Sequence, residues 1–425
     1  MPKRKHEAVI GNTSTPVVLL GLFNHVGVGL IRSLGRLGVR VYAVHPEAAA
    51  PSSRSRYCRH TFEWDIGRAA TEESVSYLLD VARKVEDRAI LIPTEDISCM
   101  FVADNADVLK DRFLFPPQTP GLARDLSSKR EMYSLCKRHG VPTPETYFPE
   151  TRDEVKSFIA TASFPVVLKV VETPVFAEED PLRSGAGKTI ARDANELLDS
   201  YDRWRRSGYG DVLLQEYIPG GADSVWMFNG YFDSRSNCLV GFTGRKLRQY
   251  PPDTGQTSLG LCVWNDVVAE TTKKFFKKIG YRGIVDMGYR YDARDGSYKL
   301  LDVNPRLGAA FRLFLGTNGI DVARALYLDL TGQPVPATTP REGRKWLVEN
   351  YDVASCAKYR RDGRLSARAW LRSFEQVEEA AWLAVDDPAP FGMMCWRSLQ
   401  YSVKHLLRRG TRPTWWNSSA PAKSW

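Results

Sequence analysis

Short apolar runs and helically spaced apolar positions alternate along the first third of the chain. Val17-Val-Leu-Leu-Gly21 is continuously apolar and of strand length, as is Ala89-Ile-Leu-Ile-Pro93, while Val39 to Val44 forms a further β-branched run. Between them Val28 to Leu37 and Val75 to Val85 carry apolar residues at helical spacing. Continuous apolar strands separated by helices predict βαβ units on a parallel sheet.

The pattern changes further on. A helix opens at Ser128, with Glu131 completing a capping box, and stops near Gly140 before Pro142 and Pro144. A helix over Asp153 to Ala160 leads to the strand Phe164 to Val171, which Lys169 interrupts. Thr189 to Ala191 reads as a strand and Asp193 caps a helix with Glu196. Val212 to Ile218, Val225 to Phe232 and Cys238 to Thr243 predict strands, the last two an antiparallel meander. A short basic run, Arg245-Lys-Leu-Arg-Gln-Tyr-Pro-Pro, and a polar loop, Asp253 to Ser258, follow. Glu270 to Ile279 predicts a helix that Gly280 ends. Asp321 to Tyr327 predicts another. Beyond Pro334 the periodicity weakens, and Trp396 to Arg409 is an aromatic, basic helix candidate.

Gly283 to Gly308 carries the most chemistry. Two aromatic-rich apolar runs flank Arg294-Asp-Gly296, which predicts a hairpin with a three-residue loop. If Ala293 pairs with Ser297, Asp286 falls opposite Asn304, and Asp302 shares their face. Facing carboxylates repel unless a cation lies between them, and an oxygen-only set suits Mg²⁺. Acidic residues on a solvated strand face are the plainer alternative.

The chain has 425 residues, 43% hydrophobic and 26% charged, which predicts a multidomain globular protein. No apolar run is long enough to span a bilayer, and the basic start, Met-Pro-Lys-Arg-Lys, has no apolar core behind it, so a cytoplasmic location is expected. The seven cysteines are scattered without CxxC spacing and the six histidines without HExxH, which argues against a zinc or disulfide framework. The net charge of +9 raises nucleic-acid binding, but no aromatic and basic stacking pattern accompanies it, and no nucleic-acid partner is expected. Residues 396–409 could lie on a membrane surface, but packing across the main domains is the expected role.

Two glycine-containing turns invite nucleotide readings. The turn after Gly21 departs from GxGxxG, and no acid ends the second strand. Arg183-Ser-Gly185-Ala-Gly187-Lys188-Thr189 resembles the end of a phosphate-binding loop, but Leu182 stands where its first glycine belongs, and a strand follows rather than a helix. A glycine loop closing over phosphates remains consistent with it. Thr94-Glu95-Asp96, past a strand's end, is either a ligand position or a helix cap.

Taken in order, Lys129, Lys169, the Gly185–Lys188 loop, Gln215-Glu216-Tyr217-Ile218, Asp286 and Asp302-x-Asn304-Pro-Arg306 resemble the ATP-grasp superfamily over roughly Ser127 to Gln333. The resemblance implies an α/β (α+β) protein. Residues 1–16 would be a basic disordered tail and 17–126 an N-terminal parallel α/β domain. Residues 127–333 would be the ATP-grasp domain, divided at 210/211 into a small and an antiparallel-sheet subdomain, and 334–425 an extension of unknown role. It implies that Lys129 and Lys169 contact ATP phosphates, that Gly185, Gly187 and Lys188 form a flap over them, and that Gln215 and Glu216, with the backbone at Tyr217 and Ile218, read the adenine edge, while the side chains of Tyr217 and Ile218 can equally be core. Asp223 would accept from ribose. Asp286, Asp302 and Asn304 would hold Mg²⁺ or Mn²⁺, and Arg306, with Lys169, would act on the transferring phosphoryl group. Family members usually carry Glu at the positions of Asp286 and Asp302. Leu307-Gly-Ala-Ala-Phe311-Arg312 lacks the Gln-Val-Glu-His run of the biotin carboxylase branch, which excludes biotin or bicarbonate. The run around Lys246 is similar to that of bacterial predicted carboxylate–amine ligases, making Lys246 a candidate anion binder. The expected function is an ADP-forming ligase joining a small-molecule or peptide carboxylate to an amine, or less favourably a thiol. The alternative is a nucleotide-binding regulatory or scaffold protein of the same fold without turnover.

Overall fold

The computed structural model describes residues 10–22, 24–85, 87–171, 187–206 and 210–410, with the side chains of 402–410 outside that description. Gly185 and most of the expected flap lie outside the described residues.

The first sheet contains β1 (Val17–Leu20), β2 (Val41–His45), β3 (Cys58–Glu63), β4 (Ala89–Pro93) and β5 (Phe113–Leu114), all parallel, in the order β3-β2-β1-β4-β5. Val17 to Leu20 are fully buried because helices cover both faces of such a sheet. The second sheet is antiparallel, in the order β6 (Thr146–Tyr147), β9 (Val212–Glu216), β7 (Val166–Val170), β8 (Lys188–Ala191). The third has seven strands, in the order β14 (Ser297–Asn304), β13 (Gly283–Asp292), β10 (Val225–Phe232), β11 (Cys238–Tyr250), β12 (Gln256–Cys262), β15 (Lys345–Leu347), β16 (Val377–Ala380).

Four expectations need correction. The subdomain boundary at 210/211 is misplaced, because β9 hydrogen-bonds to β7 and β6 and so completes the small sheet. Residues 10–16 are not a free tail: Ile10 is buried, and Asn12 exchanges two hydrogen bonds (2.8 and 2.9 Å) with Gln333. The expected polar loop Asp253 to Ser258 is shorter, since β11 continues through the basic run to Tyr250 with register breaks around Arg248, and β12 begins at Gln256. The segment after 334 is no appendage, because β15 and β16 extend the large sheet. Its buried pairs, Arg248–Asp352 (2.7 Å) and Arg32–Asp387 (2.9 Å), tie it to β11 and to the helix Asn24–Gly35.

The first sheet and the large sheet share one core. Val17, Leu19, Leu30 and Ile31 cluster with Phe311, Phe314, Leu326, Tyr327 and Trp346. This shared packing fixes the carboxyl ends of β1 and β4 against the loop after β14.

Candidate active site

The β13–β14 hairpin sets the register of the site. Asp286 pairs with Asn304 and Gly288 with Asp302, as the sequence predicts, but by a different route. The connection has four residues, since Asp292 pairs with Ser297, and a bulge at Leu301 restores the register. Leu301 has no ladder partner, and its carbonyl accepts a hydrogen bond from Tyr133 (2.8 Å).

Asp286 is packed between neighbours that leave it little freedom. Asn229, fully buried on β10, is its ladder partner on the other side, with its side-chain nitrogen donating to the Val285 carbonyl (3.5 Å). Asn304 Nδ2 donates to Asp286 Oδ2 (3.3 Å). A Cβ on Gly308 would fall 2.0 Å from Asp286 Cγ, so this loop approaches the carboxylate as only glycine can. Burial pushes the Asp286 carboxyl up to about 6, opposed by Arg306 and Lys246 and reinforced by Asp302.

The small sheet contributes the facing wall. Lys169 and Lys188 are direct cross-strand partners on β7 and β8, an unfavourable placement for like charges unless an anion joins them. Both amines are pushed down from the usual lysine range, first by burial and then by neighbouring cations, with Asp302 opposing. Lys246 on β11 is lowered to about 8 by burial and by Lys188, against Asp286 and Asp302. Lys129, at the start of the helix Lys129–Arg138 capped by Ser128, donates to the Val171 carbonyl (3.0 Å) and adds to the field on Lys169 and Lys188. The structure therefore gathers Lys129, Lys169, Lys188, Lys246, Asp286, Asp302 and Asn304 around one region. Arg306 stands beside Asp286, and Asp96 at the end of β4 holds it through two hydrogen bonds (2.7 and 3.3 Å). Asp96 is thus a side-chain partner, and Glu95 is the cap of its helix.

The other expected ligands have the following surroundings. Gln215 is 2% exposed; its Oε1 accepts from Lys169 (2.6 Å), and its Nε2 donates to Tyr133 (2.7 Å) and Thr146 (2.9 Å). That amide thus bonds to the Lys169 amine and to two hydroxyls. Glu216 pairs with Arg294 (2.9 Å) and Lys299 (2.8 Å). Ile218 is buried core, Tyr217 is half-buried, and Asp223 is exposed. Gly187 packs against Val170, and its carbonyl oxygen accepts a hydrogen bond from the Val170 N–H (2.9 Å). Arg248, in the basic run, is bound by Asp352 and Ser373, so of that run Lys246 faces the cluster.

Arg290 is a site residue that the sequence reading missed. It follows Asp286 by four positions on β13, so strand parity alone would have put both on one face. Its guanidinium lies 5.9 Å from the Tyr217 ring centroid, donates to Gly220 O (2.6 Å) and adds positive field at Lys169, Lys188 and Lys246. Asn229 was also missed, and only the β10–β13 pairing reveals it.

The donor set suits a hard divalent cation: two carboxylates, and an amide whose nitrogen is turned to Asp286 so that its oxygen is the remaining donor. Among the described residues no group of three or more His, Cys, Asp or Glu could hold a metal alone, so a cation here would need oxygens from a ligand as well.

No family model matches the chain. It is similar to D-aspartate ligase of Enterococcus faecium, at 26% identity over 258 residues, covering 59% of this chain and 61% of that ligase. The chain thus spans about three fifths of that relative's length. Its fold is similar to the biotin carboxylase domain of Hydrogenobacter thermophilus 2-oxoglutarate carboxylase, solved with MgADP and bicarbonate (TM-score 0.58, 18% identity, 77% of this chain and 73% of that one). It is also similar to L-amino acid ligase from Bacillus licheniformis (TM-score 0.57, 14% identity, 77% and 75%).

Proposed function

We propose that this chain, which has the ATP-grasp fold, is an ADP-forming ligase that activates a carboxylate with ATP and joins it to an amine. One observation carries this reading: Lys129, Lys169, Lys188, Lys246 and Arg290 gather opposite an oxygen donor set made by Asp286, Asp302 and Asn304. Burial and repulsion make Lys169, Lys188 and Lys246 costly to keep charged, and a triphosphate supplies the countercharge that reverses this. The neighbour solved with MgADP and the relatives named as ligases support the same reading.

Lys169 and Lys188 would grip the triphosphate from the small sheet, with Gln215 keeping the Lys169 amine aimed. Asp286, Asp302 and Asn304 would hold Mg²⁺, or Mn²⁺ in its place, which supplies charge neutralisation at the phosphates. A carboxylate oxygen of the substrate attacks the γ-phosphorus, the bond to the ADP oxygen breaks, and an acyl phosphate forms. The amine then adds to the acyl carbon, loses a proton, and phosphate leaves. Arg306, oriented by Asp96, would stabilise charge on the transferring group.

The substrates are a small-molecule or peptide carboxylate and an amine. The test is a phosphate-release screen pairing carboxylates with amines at saturating MgATP. The reading expects release that requires both partners and that collapses in Asp302→Ala with Asn304→Ala. Undiminished Mg²⁺-dependent turnover in that variant refutes the site. Tight MgATP binding with no turnover for any pair would favour a regulatory role.

A further inference from the structure

The turn between β11 and β12, residues 251–255, reaches the lysine cluster with its backbone. Lys246 Nζ donates to the Gly255 carbonyl (2.9 Å), as does Gln249 Nε2 (2.8 Å), and Lys188 Nζ reaches the Thr254 carbonyl (3.4 Å). Little slack exists at the turn's end. A Cβ on Gly255 would fall 1.9 Å from Tyr250 O and 2.2 Å from Pro251 N, and the Gly255 N–H donates to Pro251 O (3.0 Å). Asp253, at its tip, has φ +69°, a left-handed conformation that aspartate takes more readily than most L residues. Arg364 holds it there, its Nη1 and Nη2 donating to the two Asp253 carboxylate oxygens (both 2.7 Å). Arg364 is itself set by stacking over the Tyr359 ring (4.9 Å) and by its N–H bond to Tyr359 O (2.8 Å).

We propose that Arg364 is a positioning residue for the phosphate-binding lysines: its forked pair with Asp253 holds the turn whose carbonyls aim Lys246 and Lys188. This gives the segment after 334 a part in the nucleotide site, and it rests on the nucleotide reading above. A forked pair fixes the direction of both partners, so its loss frees the turn although the pair itself is about 40% exposed.

The experiment is calorimetric titration of the full-length chain with MgADP and with adenosine. The variants are Arg364→Met, which keeps the stem over Tyr359, and Asp253→Asn. Each should weaken MgADP about fivefold, the scale of one partly exposed forked pair, and the double variant should be no worse than either single. Adenosine, which lacks phosphates, should bind all variants equally. Wild-type MgADP binding with unchanged or tighter binding by Arg364→Met overturns this inference alone. An equal loss for adenosine also overturns it, as a general disturbance of the site. Failure of the wild-type chain to bind MgADP overturns the nucleotide reading and this inference together.

Discussion

Gly308→Ala isolates the geometry of the Asp286 carboxylate. A Cβ at this position lies 2.0 Å from Asp286 Cγ and 2.3 and 2.4 Å from its two oxygens. Ordinary carbon contacts begin near 3.5 Å, so the carboxylate must retreat by about 1.5 Å. Gly308 is not among the residues with positive φ, so the backbone itself accepts alanine. The fold should survive at a cost of about 1–3 kcal/mol, because the overlap is with the tip of one side chain and not with backbone, and that tip must turn out of its packed position. Metal–oxygen distances tolerate only about 0.2 Å, so the same turn removes a ligand. The expected result is a loss of about 100-fold, near 2.7 kcal/mol, in Mn²⁺ affinity measured by electron paramagnetic resonance at fixed ADP. Gly288→Ala is the control: it lies on the same strand face, and its Cβ meets nothing within 4 Å. It should leave Mn²⁺ affinity within about twofold of wild type. Wild-type Mn²⁺ affinity in Gly308→Ala would refute the placement of Asp286 as a ligand.

Gln215→Leu removes the acceptor for Lys169 and the bonds to Tyr133 and Thr146, so thermal unfolding should show about 2–4 kcal/mol of lost stability, with ATP affinity falling as well. Arg248→Ala leaves Asp352 buried without its cation and should cost about 3–5 kcal/mol, while any properly folded fraction keeps its MgADP affinity; a selective loss of affinity would make Arg248 a ligand after all. His25 and His45 are both lowered to about 4 by burial, below an unfolded value near 6.5. The unfolded chain therefore binds more protons between those values, and stability should fall as pH drops from about 6.5 toward 4, by up to about 3 kcal/mol for His25. Denaturant titrations of His25→Gln across that window should show a shallower decline, and an unchanged slope would count against the assignment.

Parity and spacing made much of this molecule legible. The parallel sheet follows from continuous apolar strands at Val17 and Ala89, and the facing of Asp286 with Asn304 follows from a period of two. The agreement at the hairpin conceals two compensating differences, a longer loop and a bulge at Leu301, which pairing by alternation cannot distinguish from neither. The strand Val212–Glu216 was assigned to the wrong sheet because an apolar run does not say which neighbour it pairs with. Gln215 shows a different limit: its three side-chain partners lie far away in sequence, so its bond to Lys169 could not be read from the strand. Arg290 could have been found by extending the same-face argument four residues along β13 from Asp286. Asn229 and Arg364 could not, because each acts through a partner far away in sequence.

In the proposed mechanism the substrate carboxylate is phosphorylated before the amine attacks. Once the screen identifies a pair, turnover with the carboxylate labelled in both oxygens by ¹⁸O tests it directly, with the released phosphate read by mass spectrometry. One ¹⁸O per phosphate is predicted, because the carboxylate oxygen that attacks the γ-phosphorus leaves with it. Phosphate free of label would contradict the account.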